Sequence, residues 1–252
     1  MIRKPKTVSA LSLALLLGMT MGTALANGDD HEHGDDHGGG GGGMGNGGGF
    51  GANMATIDQT GVDHVASIEQ DGRELTATIN QSGYQQEASI EQEGRGNETT
   101  INQTGGGYNK AMIDRRGRDG MVEINQDGWS NTSDVTQRGR NGSITISQED
   151  WGNMADVAQR GRGNELSLAQ SGWGGNYAEL NQRGRENRLD VAQDDAYMSV
   201  ADVSQRGRGN NANVMQSGSY HVAEVTQQDR GNMAMVTQNG VGHYASIDQS
   251  AR

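Results

Sequence analysis

The sequence predicts an all-β protein, a β-solenoid of nine strand–turn–strand coils whose strands form two parallel sheets. Three observations predict it. From Asn53 onward a glutamine recurs every 11 or 12 residues. The residues two and four places before each of these markers are small or aliphatic, which puts them on the glutamine's own face of an extended strand. Successive units also alternate in character, so the full repeat is two strands long, about 22 residues.

Two segments precede the repeats. Arg3, Lys4 and Lys6 make a basic start, a small-residue apolar stretch runs from Val8 to Leu25, and Ala24-Leu25-Ala26 fits a small-x-small cleavage site. Residues 1–26 are therefore predicted to be an export signal peptide. Gly18, Thr20, Gly22 and Thr23 interrupt the stretch, which argues against a membrane anchor. Cleavage would remove those three positive residues and take the formal charge from -12 to -15. Residues 27–52 carry an acidic, His-bearing cluster and then a glycine tract. Gly costs the most backbone entropy to order, so this segment is predicted to be flexible. His31, His33 and His37 stand among Asp29, Asp30, Glu32, Asp35 and Asp36. Imidazole with carboxylate suits Zn, Cu or Ni, but on a flexible segment the better reading is a solvated linker with at most a weak site.

The repeat region is 53–252. Its markers are Gln59, Gln70, Gln81, Gln92, Gln103, Arg115, Gln126, Gln137, Gln148, Gln159, Gln170, Gln182, Gln193, Gln205, Gln216, Gln227, Gln238 and Gln249, so glutamine fills 17 of 18. Two places earlier stands Ile, Val or Leu every time, and four places earlier Ala in 12 units. Six places earlier stands asparagine in ten: Asn53, Asn97, Asn109, Asn131, Asn153, Asn164, Asn176, Asn187, Asn210 and Asn232. His64, His221 and His243 fill that position elsewhere and are predicted to substitute for asparagine rather than to ligate metal. Glycine stands two places after the marker in 14 units. An 11-residue period also fits a helical hendecad. A helix holding a glycine in almost every third turn would lose about 1 kcal/mol at each, and the strand reading has no such conflict. The glycines are expected just beyond the strands, in the turns.

Every even unit has Arg three places after its marker, from Arg73 to Arg252, and no odd unit does. Tyr84, Trp129, Trp151 and Trp173 take that place in odd units, and the single-residue insertions precede Arg115, Gln182 and Gln205. One edge of the coil is thus predicted to be tight and arginine-bearing, the other looser and aromatic. The coils run 53–74, 75–96, 97–119, 120–141, 142–163, 164–186, 187–209, 210–231 and 232–252. At roughly 4.8 Å per coil they make a rod of about 43 Å. The Gln and Asn rows should form ladders, each amide bonding the same residue one coil away, as in amyloid cross-β stacks. Arg115 interrupts the Gln ladder and should deprive both Gln92 and Gln137 of a partner.

Segments such as Asn153-x-Ala155-x-Val157-x-Gln159-x-Gly161 and Asn232-x-Ala234-x-Val236-x-Gln238-x-Gly240 resemble the curlin repeat. An exported chain with a Gly-rich leader before such repeats is similar to the major subunits of curli, the bacterial functional amyloid fibres. It has more coils than familiar members and turns richer in Arg. The resemblance implies secretion through a dedicated outer-membrane pore, with 27–52 as the targeting segment. It also implies nucleation at the cell surface by a partner protein, and extracellular fibres for adhesion and biofilm matrix. The strands at both ends of the repeat region carry the full core pattern, so both open edges are expected to accept another copy.

Other functions fit less well. The acidic balance argues against a nucleic-acid partner. No catalytic constellation departs from the repeat, and no cofactor is implied. A minor nucleator is one alternative. A monomeric carbohydrate-binding solenoid is another; exposed aromatics suit sugars and the arginine edge could bind polysaccharide, but stacking support and charge balance are the better readings of the two edges. Asp134, Asp156, Glu179, Asp202 and Glu224 stand three places before five consecutive even markers. They should form one outward acidic row, with Arg138, Arg160, Arg183 and Arg206 about 13 Å along the strands.

Overall fold

The computed structural model describes residues 20–24 and 51–250. All the regular structure among them is β. Strands pair every second one, as the alternating repeat requires, so the chain winds between two sheets. The first sheet holds Met54–Val62, Thr76–Tyr84, Glu98–Gly107, Met121–Trp129, Ser143–Gln148, Glu165–Gln170, Arg188–Tyr197, Asn211–Ser219 and Met233–Val241. The second holds Val65–Arg73, Glu87–Arg95, Lys110–Arg118, Thr132–Arg140, Met154–Arg162, Tyr177–Arg185, Val200–Arg208, Val222–Arg230 and Tyr244–Ser250. Within each sheet these strands are parallel and in register, so Ala55, Ile57 and Gln59 lie beside Ala77, Ile79 and Gln81. The solenoid of nine coils and two parallel sheets is therefore the fold. One further strand, Thr20–Ala24, runs antiparallel to Met54–Val62 on the outer edge of the first sheet. The rest of the segment predicted to be an export signal, residues 27–50 and with them His31, His33 and His37 lie outside the described residues.

The core is a single apolar seam between the sheets. Ile79, Ile101, Ile124, Ile146, Leu180 and Val203 are fully buried, each beside a buried small or aliphatic residue two places earlier. Ile57, Ile68 and Ile247, in the end coils, are only partly covered. An end coil has another coil on one side alone, so its seam is covered less than that of an interior coil.

The glycines correct the sequence reading. The glycine two places past the marker lies inside the strand, not beyond it: Met154–Arg162 contains Gly161. Its φ is +131°, and a Cβ there would sit 1.8 Å from the Gly184 carbonyl oxygen one coil away. The residue type is set by close approach between coils as well as by bending. The reversal itself comes two residues later, where φ is again positive and glycine is not required: Glu74, Tyr108, Asn141, Glu186 and Met198 all adopt it, at 50–58°. Both edges of the coil share this two-step turn. The aromatic edge is looser where the register shifts, near Gly105–Gly107 and between Asp194 and Tyr197, and also after Ser143–Gln148, which ends at its marker without an insertion. Tyr177 and Tyr244 are the first residues of their strands.

Candidate functional site: amide ladders and the second-sheet face

In the first sheet the glutamine ladder is continuous. Each Nε2 donates to the Oε1 of the next marker, from Gln59 through Gln81, Gln103, Gln126, Gln148, Gln170, Gln193 and Gln216 to Gln238, at 2.7–2.9 Å. From Gln81 onward the second hydrogen of each Nε2 goes to a carbonyl at the start of the facing strand, as from Gln126 to Lys110 O at 3.0 Å. Both donor hydrogens are thus used, which is what allows an amide to be buried. Each bond contributes about 0.5–1.5 kcal/mol net, and leaving a buried amide unpaired costs more.

The second-sheet ladder has one break, at Arg115. Gln70 donates to Gln92 at 3.4 Å, and from Gln137 to Gln249 the chain of donors runs at 2.9–3.0 Å. Arg115 is buried, and its Nε donates to Gln137 Oε1 at 2.6 Å. The expected loss is therefore one-sided. Gln137 keeps a donor, while Gln92 turns its Nε2 to Thr76 O and to the Thr99 hydroxyl. The Arg115 Nη1 has no partner. The guanidinium fits because Gly120 stands in the asparagine position of the next coil, where a Cβ would lie 2.1 Å from Arg115 Nη2. Burial pushes its pKa down to about 10, against a smaller opposing pull from Asp119.

The asparagine row does not bond amide to amide as expected, apart from Asn176 to Asn153 at 3.0 Å. Each asparagine clamps the turn instead. Asn164 Nδ2 donates to Arg160 O, four residues back, and to Gly184 O one coil on, while its Oδ1 accepts the Asn187 backbone N–H at 3.1 Å. Asn187, Asn210 and Asn232 continue the pattern, each N–H on the preceding Oδ1. Where glycine occupies the next position, at Gly120, the Asn97 Oδ1 is left without a partner.

Histidine reproduces two of the three asparagine bonds, the one to the carbonyl four residues back and the one from the next coil's N–H. His221 Nε2 lies 3.0 Å from Ser217 O, four residues back, and Nδ1 accepts the His243 N–H at 3.3 Å. Donor and acceptor together assign the neutral ring with its proton on Nε2. His64 does the same with Thr60 O and the Gln86 N–H. His221→Asn should therefore keep the fibre stability of the parent. His221→Ala should lower it by about 2 kcal/mol, through a cavity and an unpaired N–H. Chemical denaturation of fibres made from the two variants checks this, and equal losses would refute the equivalence.

The outward face of the second sheet carries the acidic row. Asp134, Asp156, Glu179, Asp202 and Glu224 are neighbours in register. Desolvation raises the Asp156 and Asp202 carboxyls, and the flanking carboxylates raise them further. Tyr177 donates to Glu179 and Tyr244 to Glu224, while the rows on either side of the acids are otherwise uncharged from Thr132 to Val222. An acid whose pKa is raised on folding destabilises the fold when ionised, and this cost disappears as pH falls through its titration range. Assembly should thus be faster near about pH 4.5 than about pH 7.5, and Asp156→Asn with Asp202→Asn should flatten the difference. Dye-binding kinetics at the two pH values decide it. An identical profile for parent and variant would place the dependence elsewhere.

On the turn side, Tyr84, Tyr108, Trp129 and Trp151 form a row with ring centroids 5.7–6.1 Å apart, and Trp173 beyond them is 77% exposed. Among the described residues no cluster of His, Asp and Glu is placed to hold a metal, and no helix is long and apolar enough to cross a membrane. The family model for the curlin associated repeat matches residues 52–83, 72–105 and 200–228. No curated protein matches the chain in sequence.

Proposed function

We propose that this chain, a curlin-repeat protein, is the main structural subunit of an extracellular amyloid fibre of the curli type. Its work is to polymerise, and the fibre serves adhesion and biofilm matrix at the bacterial surface. One observation carries the proposal. The end strands have the same register and inward residues as the interior ones, yet have a solenoid neighbour on one side only. Among the described residues Val65–Arg73 pairs only with Glu87–Arg95, and Tyr244–Ser250 only with Val222–Arg230. Another copy would supply the missing coil with the same ladders and the same seam. Export through an outer-membrane pore, targeting by residues 27–52 and start-up by a surface nucleator follow from the family likeness.

The test is purified chain lacking residues 1–26, left at micromolar concentration without cofactor. Fibres should appear, with diffraction near 4.7 Å and 10 Å. A chain that stays monomeric over days would overturn the proposal and favour the solenoid binder.

A further inference from the structure

We propose that the outer face of the second sheet is a self-complementary surface, by which two stacks of this chain pair side by side, pointing the same way. The inference rests on the fibre reading above. Four consecutive strands carry an acid and an arginine at fixed places: Asp134 with Arg138, Asp156 with Arg160, Glu179 with Arg183, and Asp202 with Arg206. The strands are in register, so the acids form one straight rail and the arginines another. The rails lie about 13 Å apart, too far for the charges to satisfy each other on one strand. Among the described residues the four acids make no ion pair, and of the four arginines only Arg138 makes one, with Asp114 at 3.5 Å.

Between the rails is a floor of small, uncharged side chains, Thr136, Ala158, Asn181 and Ser204, which with the arginines line a groove of about 340 Å³. Like charges stacked at strand spacing repel, and apart from Arg138 at the end of its rail the charges have no ion-pair partner among the described residues. A free polyanion would meet the arginine rail but also the acidic one, and across these four strands the two rails carry four charges of each sign. A second copy of the same face satisfies both.

Symmetry then fixes the arrangement. Two identical faces meet through a two-fold axis. An axis along the stack reverses the strand direction across the contact, which sets each acidic rail on the other copy's arginine rail. An axis along the strands keeps the strand direction and sets acid on acid. Only the first is electrostatically favourable, and it leaves both stacks pointing the same way. Every added copy repeats the contact, so pairs that are weak singly sum along the fibre. Exposed pairs are also the ones that salt screens, whereas the buried ladders are not.

Charge exchange tests it. In one variant the acidic rail becomes basic (Asp134→Lys, Asp156→Lys, Glu179→Lys, Asp202→Lys). In the other the arginine rail becomes acidic (Arg138→Glu, Arg160→Glu, Arg183→Glu, Arg206→Glu). Each alone should give fibres of half the parent width by electron microscopy, with fibre diffraction unchanged. Mixing preformed fibres of the two should restore paired width, and about 1 M salt should separate parent pairs without dissolving the fibres. Paired fibres from either variant alone, or no pairing in the mixture, would overturn the inference. If a fully charged rail blocks polymerisation, the neutral rails (Asn or Gln for the four acids, Gln for the four arginines) replace it, and each should also halve the width. Absence of fibres from the parent chain would instead count against the fibre reading.

Discussion

Gly139→Ala is expected to raise the concentration of monomer left in equilibrium with fibres at least about 100-fold. Gly139 has φ +143°, a region closed to residues with a Cβ, and a Cβ there would sit 1.8 Å from the Gly161 carbonyl oxygen and 2.8 Å from its carbon. Backbone is on both sides of the clash, so no side chain can yield. Strain and overpacking together cost about 3 kcal/mol or more. The chain itself shows the one tolerated escape. Asp150, Asp195 and Asp229 occupy the equivalent position with φ of 67°, 48° and 72°, inside the left-handed well that Asp and Asn enter readily. Around Asp229 the strand Val222–Arg230 keeps its full length and register. Gly139→Asn should therefore be milder than Gly139→Ala, the reverse of the order expected from size. Residual monomer after sedimentation measures both. An alanine variant as insoluble as the parent would show that the coils can separate at this point.

Arg115→Gln should act in the opposite direction. A guanidinium held down to about 10 destabilises the folded chain at neutral pH by roughly 3 kcal/mol. Glutamine removes that cost and restores an acceptor for Gln92, while still donating to Gln137. It also fits, since Gln137 already lies beside a glycine in the same relation: a Cβ on Gly142 would be 3.1 Å from its Nε2. Residual monomer should fall about 100-fold and the lag before growth should shorten. Unchanged solubility would mean that the guanidinium reaches water in the fibre.

The coil and its two sheets were legible because the period, the alternation and the inward triad are all one-dimensional. A marker every 11 or 12 residues with Ala and Ile, Val or Leu on its face leaves little choice of register. The Gln ladder followed from the same spacing. What was not legible depends on distances between coils. The glycine at 161 looks like a turn residue in sequence, and only the Gly184 oxygen 1.8 Å from its missing Cβ shows otherwise. Tyr108 and Met198 have no sequence mark of positive φ, because stacking imposes it. The Asn row was placed correctly but its partners were not, since its bonds go to turn carbonyls and N–H groups. The one-sided break at Arg115 needed the orientation of a single Nε.

The amide ladders also have a direction. Every bond from one marker's Nε2 to another's Oε1 runs toward the higher-numbered coil, so the two tips of a stack are chemically different. At one tip the Gln70 Oε1 is an acceptor with no donor. At the other, Gln249 accepts from Gln227 and donates to Met233 O, leaving its second hydrogen to point onward. A copy arriving tail to head joins donor to acceptor, and one arriving reversed sets like against like. A fibre built this way has unequal ends that elongate at unequal rates, and each breakage creates one fast tip and one slow tip.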